Sequence, residues 1–292
     1  MKIIDSHIHY SRLTSFEDCA RHTSIVDYTE AGYLKETEEN EVVHTICMGL
    51  TEKTPAGFPD AGAQTPMGAD IAEKLPPGMS RCLGINPYTL SERSLSETED
   101  QITSGAGGAG RAGSAGRVVG MKIYAGYYHV DINDPVYDPV YKLAEKHDLT
   151  IAVHTGETYS ARGLLKYSHP LNIDELAVAH PTLRIVACHM GVPWVIDACE
   201  VAVKNLNVYL DISGLFTAGA DYINRQSSNP LLIDRYRQAL AYLDNYDKVL
   251  FGTDWPLVPM GAYINFCKKL IPPGAYDKVF CQNAIDVYKL VL

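Results

Sequence analysis

Two histidines separated by one residue lie near the start of the chain, in the run Asp5-Ser6-His7-Ile8-His9. Side chains alternate across a β-strand, so His7 and His9 are expected to point to one face while Ile8 points to the other. Imidazole nitrogens bind zinc and other divalent ions, and two rings one strand step apart can share a single ion. In an arbitrary chain such a pair more often consists of unrelated histidines. A position at the end of a barrel strand would reverse that expectation.

Three other polar residues close apolar runs further along the chain. His154 and His189 each follow such a run, and Asp254 ends another, where a carboxylate is costly unless it is paired, hydrogen-bonded or bound to a metal. Either histidine taken alone could equally be packed in the core. Cys188 has the opposite parity to His189 and is expected to be a buried thiol. Nitrogen and carboxylate ligands together are typical of a catalytic zinc site, and manganese accepts the same set.

The elements that must position these residues alternate in type. Short β-branched runs are separated by stretches of helical character, which is the pattern of repeated βα units with a parallel sheet. The predicted strands span residues 3–9, 42–48, 81–86, 118–124, 149–154, 183–189, 207–212 and 249–254. Eight strands close a (β/α)8 TIM barrel, and a chain of 292 residues fits one such domain, 1–292. The C-terminal strand ends form the catalytic face of a barrel, so the polar residues above would meet there.

Helices and loops complete the predicted barrel. Helices are expected at residues 135–147, 173–180, 193–205 and 231–243, with a closing helix at 279–292. Residues 104–117 (SGAGGAGRAGSAGR) have too little apolar side chain to pack, so we expect a flexible Gly- and Ala-rich loop on the face opposite the active site. The loops that follow strands are long, which predicts a pocket for a specific small molecule: 10–29, 49–66, 125–134, 155–171 and 213–229.

Composition narrows the range of partners. The formal net charge of -10 repels phosphate backbones, which argues against nucleic acid as a partner. No run is long and apolar enough to span a membrane, and the first residues do not resemble a signal peptide, so we expect a cytoplasmic protein. The seven cysteines form no C-x-x-C pair and are expected to be reduced and mostly buried.

An ordered set of segments resembles a known family along most of the chain. The segments DSHIHY, AVHTGE, HPTLRIVACHMG, NVYLDISG, VLFGTDWP and NAIDVYKL resemble amidohydrolase-related proteins of the aminocarboxymuconate-semialdehyde decarboxylase type. The resemblance implies that His7, His9, His154 and Asp254 hold one divalent metal, usually zinc. It also implies that His189 acts on the substrate or on metal-bound water.

Lys122 raises the question of a second metal. In binuclear relatives a carboxylated lysine on the fourth strand bridges two ions, and Lys122 stands about where that lysine would be. The type resembled here commonly holds one ion, often with a His-Pro pair after the lysine, whereas this chain has Tyr124-Ala125. We therefore expect one metal, with Lys122 as a pocket or structural residue. The candidate substrate contacts are Lys122, Tyr124, Arg162 and His169, and the candidate cations for a substrate carboxylate are Arg12, Arg162 and Lys122.

The favoured reaction is hydrolysis of a lactone, an amide or another carboxyl derivative by metal-activated water. Asp254 would accept the proton of the water and His189 would stabilise the oxyanion. Non-oxidative decarboxylation of an unsaturated or aromatic carboxylic acid is the alternative on the same site. A nuclease of the TatD type also opens with an Asp-x-His-x-His strand, but the acidic balance and the Gly-Thr-Asp-Trp-Pro segment disfavour it. The expected partner is a small molecule, and we also consider a homodimer.

Overall fold

A computed structural model describes residues 1–49, 74–106 and 116–292. Eight parallel strands follow one another in chain order around one sheet. They are β1 (Ile3–Ile8), β2 (Val42–Met48), β3 (Met79–Ile85), β4 (Val118–Ile123), β5 (Thr150–Val153), β6 (Arg184–Ala187), β7 (Val208–Asp211) and β8 (Val249–Leu250). Each predicted strand overlaps an observed strand, although β8 is much shorter than predicted, and the eight strands confirm the TIM barrel.

The barrel closes between the first and last strands by an irregular segment. The β8 strand has only two residues, but the chain that follows it continues along β1. The backbone nitrogen of Ser6 donates to the carbonyl oxygen of Phe251 at 3.0 Å, and that of Asp254 donates to the carbonyl oxygen of His7 at 2.7 Å. This pairing fixes Asp254 directly beside His7 at the C-terminal end of the barrel.

Helices cover the outside of the sheet. Within the described ranges they are α1 (Thr14–Cys19), α2 (Glu30–Glu39), α3 (Glu92–Ala106), α4 (Asp138–Lys146), α5 (Leu165–Ser168), α6 (Asn172–Ala179), α7 (Val195–Lys204), α8 (Ala220–Gln226), α9 (Pro230–Leu243), α10 (Met260–Leu270) and α11 (Asn283–Tyr288). The closing helix therefore ends before the chain does. The predicted loop at 104–117 starts with the last residues of α3, and its residues 107–115 lie outside the described ranges, as does most of the predicted mouth loop at 49–66. No helix among the described residues has the length and apolar character needed to cross a bilayer.

Strand parity separates two apolar clusters. Ile151 and Ile185 belong to the larger cluster between sheet and helices, whereas their neighbours Ala152 and Val186 belong to a smaller one inside the barrel. The closing helix contributes Val287 and other side chains to the inner cluster, so it covers the N-terminal end of the barrel. The inner cluster thus fills the N-terminal part of the barrel interior, and the polar residues lie at the C-terminal end. The seven cysteines are free and six are buried, as predicted.

Candidate metal centre and active site

Three of the predicted metal ligands form one tight cluster. His7, His9 and Asp254 are buried, and one ligand atom from each lies within 4.8 Å of the other two. The Nε2 atom of His9 is 3.1 Å from Oδ1 of Asp254, and Nε2 of His7 is 3.5 Å from the same oxygen. Ile8 packs in the outer cluster, on the opposite side of the strand, as the alternation of side chains predicts.

The atoms that face one another in this cluster are acceptors. Nδ1 of His9 lies 3.2 Å from the carbonyl oxygen of Met48, which can only accept, so Nδ1 carries the hydrogen and a neutral ring presents a lone pair at Nε2. Asp254 Oδ1 is buried and has no hydrogen-bond partner among the described residues. A buried carboxylate oxygen that faces imidazole lone pairs is stable only if a cation lies between them. The donor set therefore fits a divalent metal.

A second carboxylate, not predicted from the sequence, orients one of these ligands. Asp211 at the end of β7 is fully buried, and its Oδ2 lies 2.9 Å from Nδ1 of His7. Its Oδ1 accepts hydrogen bonds from the backbone nitrogens of His189 at 2.9 Å and Ser213 at 3.0 Å, and from the Ser213 hydroxyl. The carboxylate holds the hydrogen of His7 on Nδ1, so that Nε2 points its lone pair toward Asp254. The sequence feature that could have identified Asp211 is a charged residue at the end of an apolar run, the same feature that identified Asp254.

The remaining two predicted histidines lie next to this cluster. The ring centroids of His189 and His7 are 4.8 Å apart, as are those of His189 and His154. His154 Nε2 lies 2.9 Å from the carbonyl oxygen of Glu157, so Nε2 is the donor and Nδ1 holds the lone pair. His154 is therefore near the centre, but it does not belong to the tight cluster of His7, His9 and Asp254.

The backbone around the centre adopts conformations that are costly for ordinary residues. His189 and Asp254 have φ angles of 60° and 68°, in the left-handed region. Gly214 also has a positive φ of 56°, and a Cβ atom there would lie 2.6 Å from Oδ2 of Asp254 and 2.8 Å from Nδ1 of His189. Only glycine leaves these two side chains their present positions.

Burial and charge set the protonation of the centre. Burial alone would raise the pKa of Asp254, but the adjacent His189 and the other nearby rings lower that pKa below its usual range. Burial would likewise raise the pKa of Asp211, and His7 lowers it. Burial is also the main reason why the pKa of His7 falls to about 3 and why those of His154 and His189 are lowered. Ionised carboxylates and neutral rings are the states that ligate metals.

A pocket adjoins the centre. Its wall includes His154, His189 and Asp254. The other lining residues are Tyr127, Thr155, Glu157, Tyr159, Val192, Gly214, Thr217 and Leu257. We call this the central pocket. Its lining combines polar groups with aromatic and aliphatic side chains, as is typical of sites for small organic molecules.

The sequence also matches a family. Residues 105–290, more than half of the chain, match the model of the amidohydrolase family. The chain belongs to the amidohydrolase family. This membership confirms the predicted fold and the predicted class of enzyme. No curated protein is similar enough to give a significant match.

Solved structures with the fold of this amidohydrolase include hydrolases and decarboxylases. An uncharacterised TIM-barrel protein from Bordetella bronchiseptica is 19% identical, with a TM-score of 0.67 and 99% of each chain covered. A probable 2-pyrone-4,6-dicarboxylic acid hydrolase from Acinetobacter baumannii, with citric acid bound, is 15% identical, with a TM-score of 0.62 and coverage of 99% of this chain and 100% of that one. A 5-carboxyvanillate decarboxylase from Novosphingobium aromaticivorans, complexed with manganese, is 13% identical, with a TM-score of 0.58 and coverage of 99% and 96%.

Lys122 of the amidohydrolase points into the barrel but is held beside the ligands. Its side chain is buried, and its Nζ donates to Sγ of Cys188 at 2.9 Å. The same nitrogen lies 3.4 Å from Nε2 of His7. Cys188 is buried, as predicted, but it belongs to the inner cluster and contacts Lys122, so it does not point away from the centre as its parity predicts. The positive φ of His189 interrupts the alternation of side chains at this point.

The other predicted substrate contacts lie outside the lining of the central pocket. Tyr124 is buried and donates to the carbonyl oxygen of Gly49 at 2.7 Å. Arg162 is exposed, and its carbonyl oxygen lies 2.9 Å from Nε2 of His129. The ring of His169 packs against Trp194 with 4.6 Å between centroids. Their roles toward a substrate stay predictions.

Proposed function

We propose that this amidohydrolase is a metal-dependent hydrolase that acts on a small lactone, amide or other carboxyl derivative. The observation that carries the proposal is the cluster of His7, His9 and Asp254, in which a buried carboxylate oxygen lies 3.1 Å and 3.5 Å from two imidazole nitrogens without a hydrogen-bond partner among the described residues. Such a cluster is suited to a cation and unfavourable without one.

The proposed ligands are Nε2 of His7, Nε2 of His9 and the carboxylate of Asp254, with Nδ1 of His154 as the fourth. Nitrogen and oxygen ligands of this kind favour zinc, and manganese is the alternative. When bound, such an ion supplies Lewis acidity, which polarises a carbonyl oxygen and makes water more acidic.

Asp254 is proposed as the proton carrier of the reaction. The pKa of Asp254 lies below its usual range, so the carboxylate is ionised and can accept the proton of an attacking water. It lines the central pocket, where it can return that proton to the leaving group. The left-handed backbone at Asp254 and the absence of a side chain at Gly214 keep the carboxylate at this position.

His189 is proposed to act as an acceptor. Its Nδ1 lies 3.2 Å from the carbonyl oxygen of Ser213, which fixes the hydrogen on Nδ1 and leaves the lone pair on the other ring nitrogen. The lowered pKa of His189 keeps the ring neutral, because burial disfavours the imidazolium. A neutral ring in this tautomer can orient water or a substrate hydroxyl, whereas stabilising an oxyanion would require a second proton.

The experiment is metal analysis of purified wild type beside three variants. His7→Ala is expected to lose the metal, and Asp254→Asn to abolish turnover and weaken metal binding. His147→Ala, at the end of α4 and paired with Glu99, is the control and should retain both. The proposal fails if wild type binds no divalent ion, or if His7→Ala retains it fully.

Decarboxylation is the second candidate, because the fold is shared with a decarboxylase complexed with manganese. The same ligands would then hold a carboxylate-bearing substrate, and an acid would protonate the carbon left behind. Measuring carbon dioxide release against acid release, on lactones and on unsaturated or aromatic acids, separates the two reactions. Carbon dioxide release without hydrolysis would replace the first proposal by the second.

A further inference from the structure

A second cavity, which we call the side pocket, lies beside the central pocket. Its volume is about 570 Å³, within the range of roughly 300–1,000 Å³ that is typical of small-molecule sites. Glu157, Val192 and Thr217 line both pockets, so the two pockets adjoin at these three residues. A ligand in the central pocket that reached past these residues would enter the side pocket.

The wall of the side pocket combines aromatic and aliphatic side chains with polar groups. Leu215, Phe216, Tyr222, Leu232 and Tyr236 contribute to it. The ring of Phe216 packs edge-on against Tyr222, with 5.9 Å between ring centroids. It also packs against a buried aromatic ring of the hydrophobic core. Because these rings hold one another in place, the aromatic part of the wall suits a flat apolar body.

One arginine gives the side pocket a positive group. Arg235 lines the side pocket but not the central pocket. Its Nη2 donates to the carbonyl oxygen of Pro193 at 2.7 Å, and its guanidinium carbon lies 6.0 Å from the ring centroid of Tyr236. No carboxylate of the described residues lies within ion-pair distance of it, although the chain carries a net charge of -10. These two contacts orient the guanidinium and leave further N–H groups for a ligand.

The other ionisable groups of the side pocket do not neutralise this arginine. They are His22, Glu157 and the hydroxyls of Tyr222 and Tyr236. Glu157 lies on the wall shared with the central pocket, so its charge disfavours an anion at the junction between the two pockets. An anionic group on a ligand is therefore directed to Arg235.

We propose that the side pocket binds the non-reacting end of the substrate and that Arg235 binds a carboxylate on that end. The substrate class is then an elongated, flat, apolar acid with two carboxyl-derived groups, one of which reacts in the central pocket. This assignment depends on the proposed function only for the end of the substrate that reacts. Arg235 is a specificity-determining residue in this scheme, and Phe216 with its aromatic neighbours holds the body of the molecule.

The test is calorimetric binding to metal-loaded protein of three matched pairs of acids. The pairs are benzene-1,4-dicarboxylate with benzoate, naphthalene-2,6-dicarboxylate with 2-naphthoate, and biphenyl-4,4′-dicarboxylate with biphenyl-4-carboxylate. At least one dicarboxylate should bind about tenfold more tightly than its partner at low ionic strength, because a charge-assisted hydrogen bond is added. Arg235→Met should abolish that ratio without weakening the monocarboxylate, and Arg235→Lys should keep part of it.

Arg225→Met is the matched control. Arg225 lies on α8 with its guanidinium carbon 5.6 Å from the ring of Tyr222 and does not itself line the side pocket, so its loss removes a nearby charge and no lining residue. The ratio should survive in this variant. A ratio near one for all three pairs in wild type overturns the proposal, and so does a ratio that survives Arg235→Met or that falls equally in both methionine variants. If no acid or ester is turned over but the preference depends on Arg235, the proposed reaction fails and the side-pocket assignment stands.

Discussion

Replacing Asp211 by asparagine should damage the metal centre although Asp211 is not one of its proposed ligands. The change keeps the size of the side chain and keeps one oxygen, which can still accept from the backbone nitrogens of His189 and Ser213. The amide nitrogen must then face Nδ1 of His7, where the carboxylate oxygen stands at 2.9 Å in wild type. Two donors cannot share this contact, so the hydrogen of the imidazole is driven from Nδ1 to Nε2.

The expected loss follows from that tautomer change. Nε2 of His7, which lies 3.5 Å from Asp254 Oδ1, would carry a hydrogen instead of a lone pair. Loss of a carboxylate that orients a histidine ligand typically costs about 10- to 100-fold in metal affinity or activity. That range corresponds to about 1.4–2.7 kcal/mol of binding free energy. Because Asp211 is fully buried, salt does not screen the effect.

The assay is competition for zinc and for manganese between the protein and a chromophoric chelator. Asp234→Asn, the same exchange at an exposed position of α9, is the control and should bind the metal as wild type does. Far-ultraviolet circular dichroism should show that Asp211→Asn is folded. A folded Asp211→Asn protein with wild-type metal affinity would refute the role that we assign to this carboxylate.

Three further outcomes are expected. Gly214→Ala should lower kcat/KM about 100-fold, because its methyl group would lie 2.6 Å from Asp254 Oδ2. Steady-state kinetics on samples with equal metal content measure this loss. A variant with the kcat/KM of wild type would contradict the prediction. Burial lowers the pKa of His44 from 6.5 to about 4, so its contribution to stability is complete above pH 6.5 and is lost as the pH falls through 4. Urea unfolding at pH 7 and at pH 3.5 should therefore show that the free energy of unfolding falls by about 3 kcal/mol less in His44→Gln than in wild type. An equal fall in both proteins would contradict this prediction. Lys122→Met should still bind one metal ion per chain by elemental analysis, and a drop from two ions to one would instead reveal a bridging role for the lysine.

The sequence alone determined the barrel and most of its rim. Strand alternation placed His7 and His9 on one face, and apolar runs that end in a polar residue located His189 and Asp254. These inferences depend on local periodicity, which the backbone geometry of a strand enforces wherever the strand lies. The eight strand positions followed from the same property, although β8 proved to be two residues long because the closing segment pairs irregularly with β1.

Only the tertiary structure decided which of these residues meet and in which orientation. Asp211 acts on His7 across 204 positions of the chain, and Cys188 receives Lys122 across 66, so no local pattern could reveal either contact. The tautomer of His154 depends on a single carbonyl oxygen, that of Glu157, which takes its Nε2 hydrogen. Periodicity fixes the direction of a side chain, whereas distances and tautomers depend on how remote strand ends pack against one another.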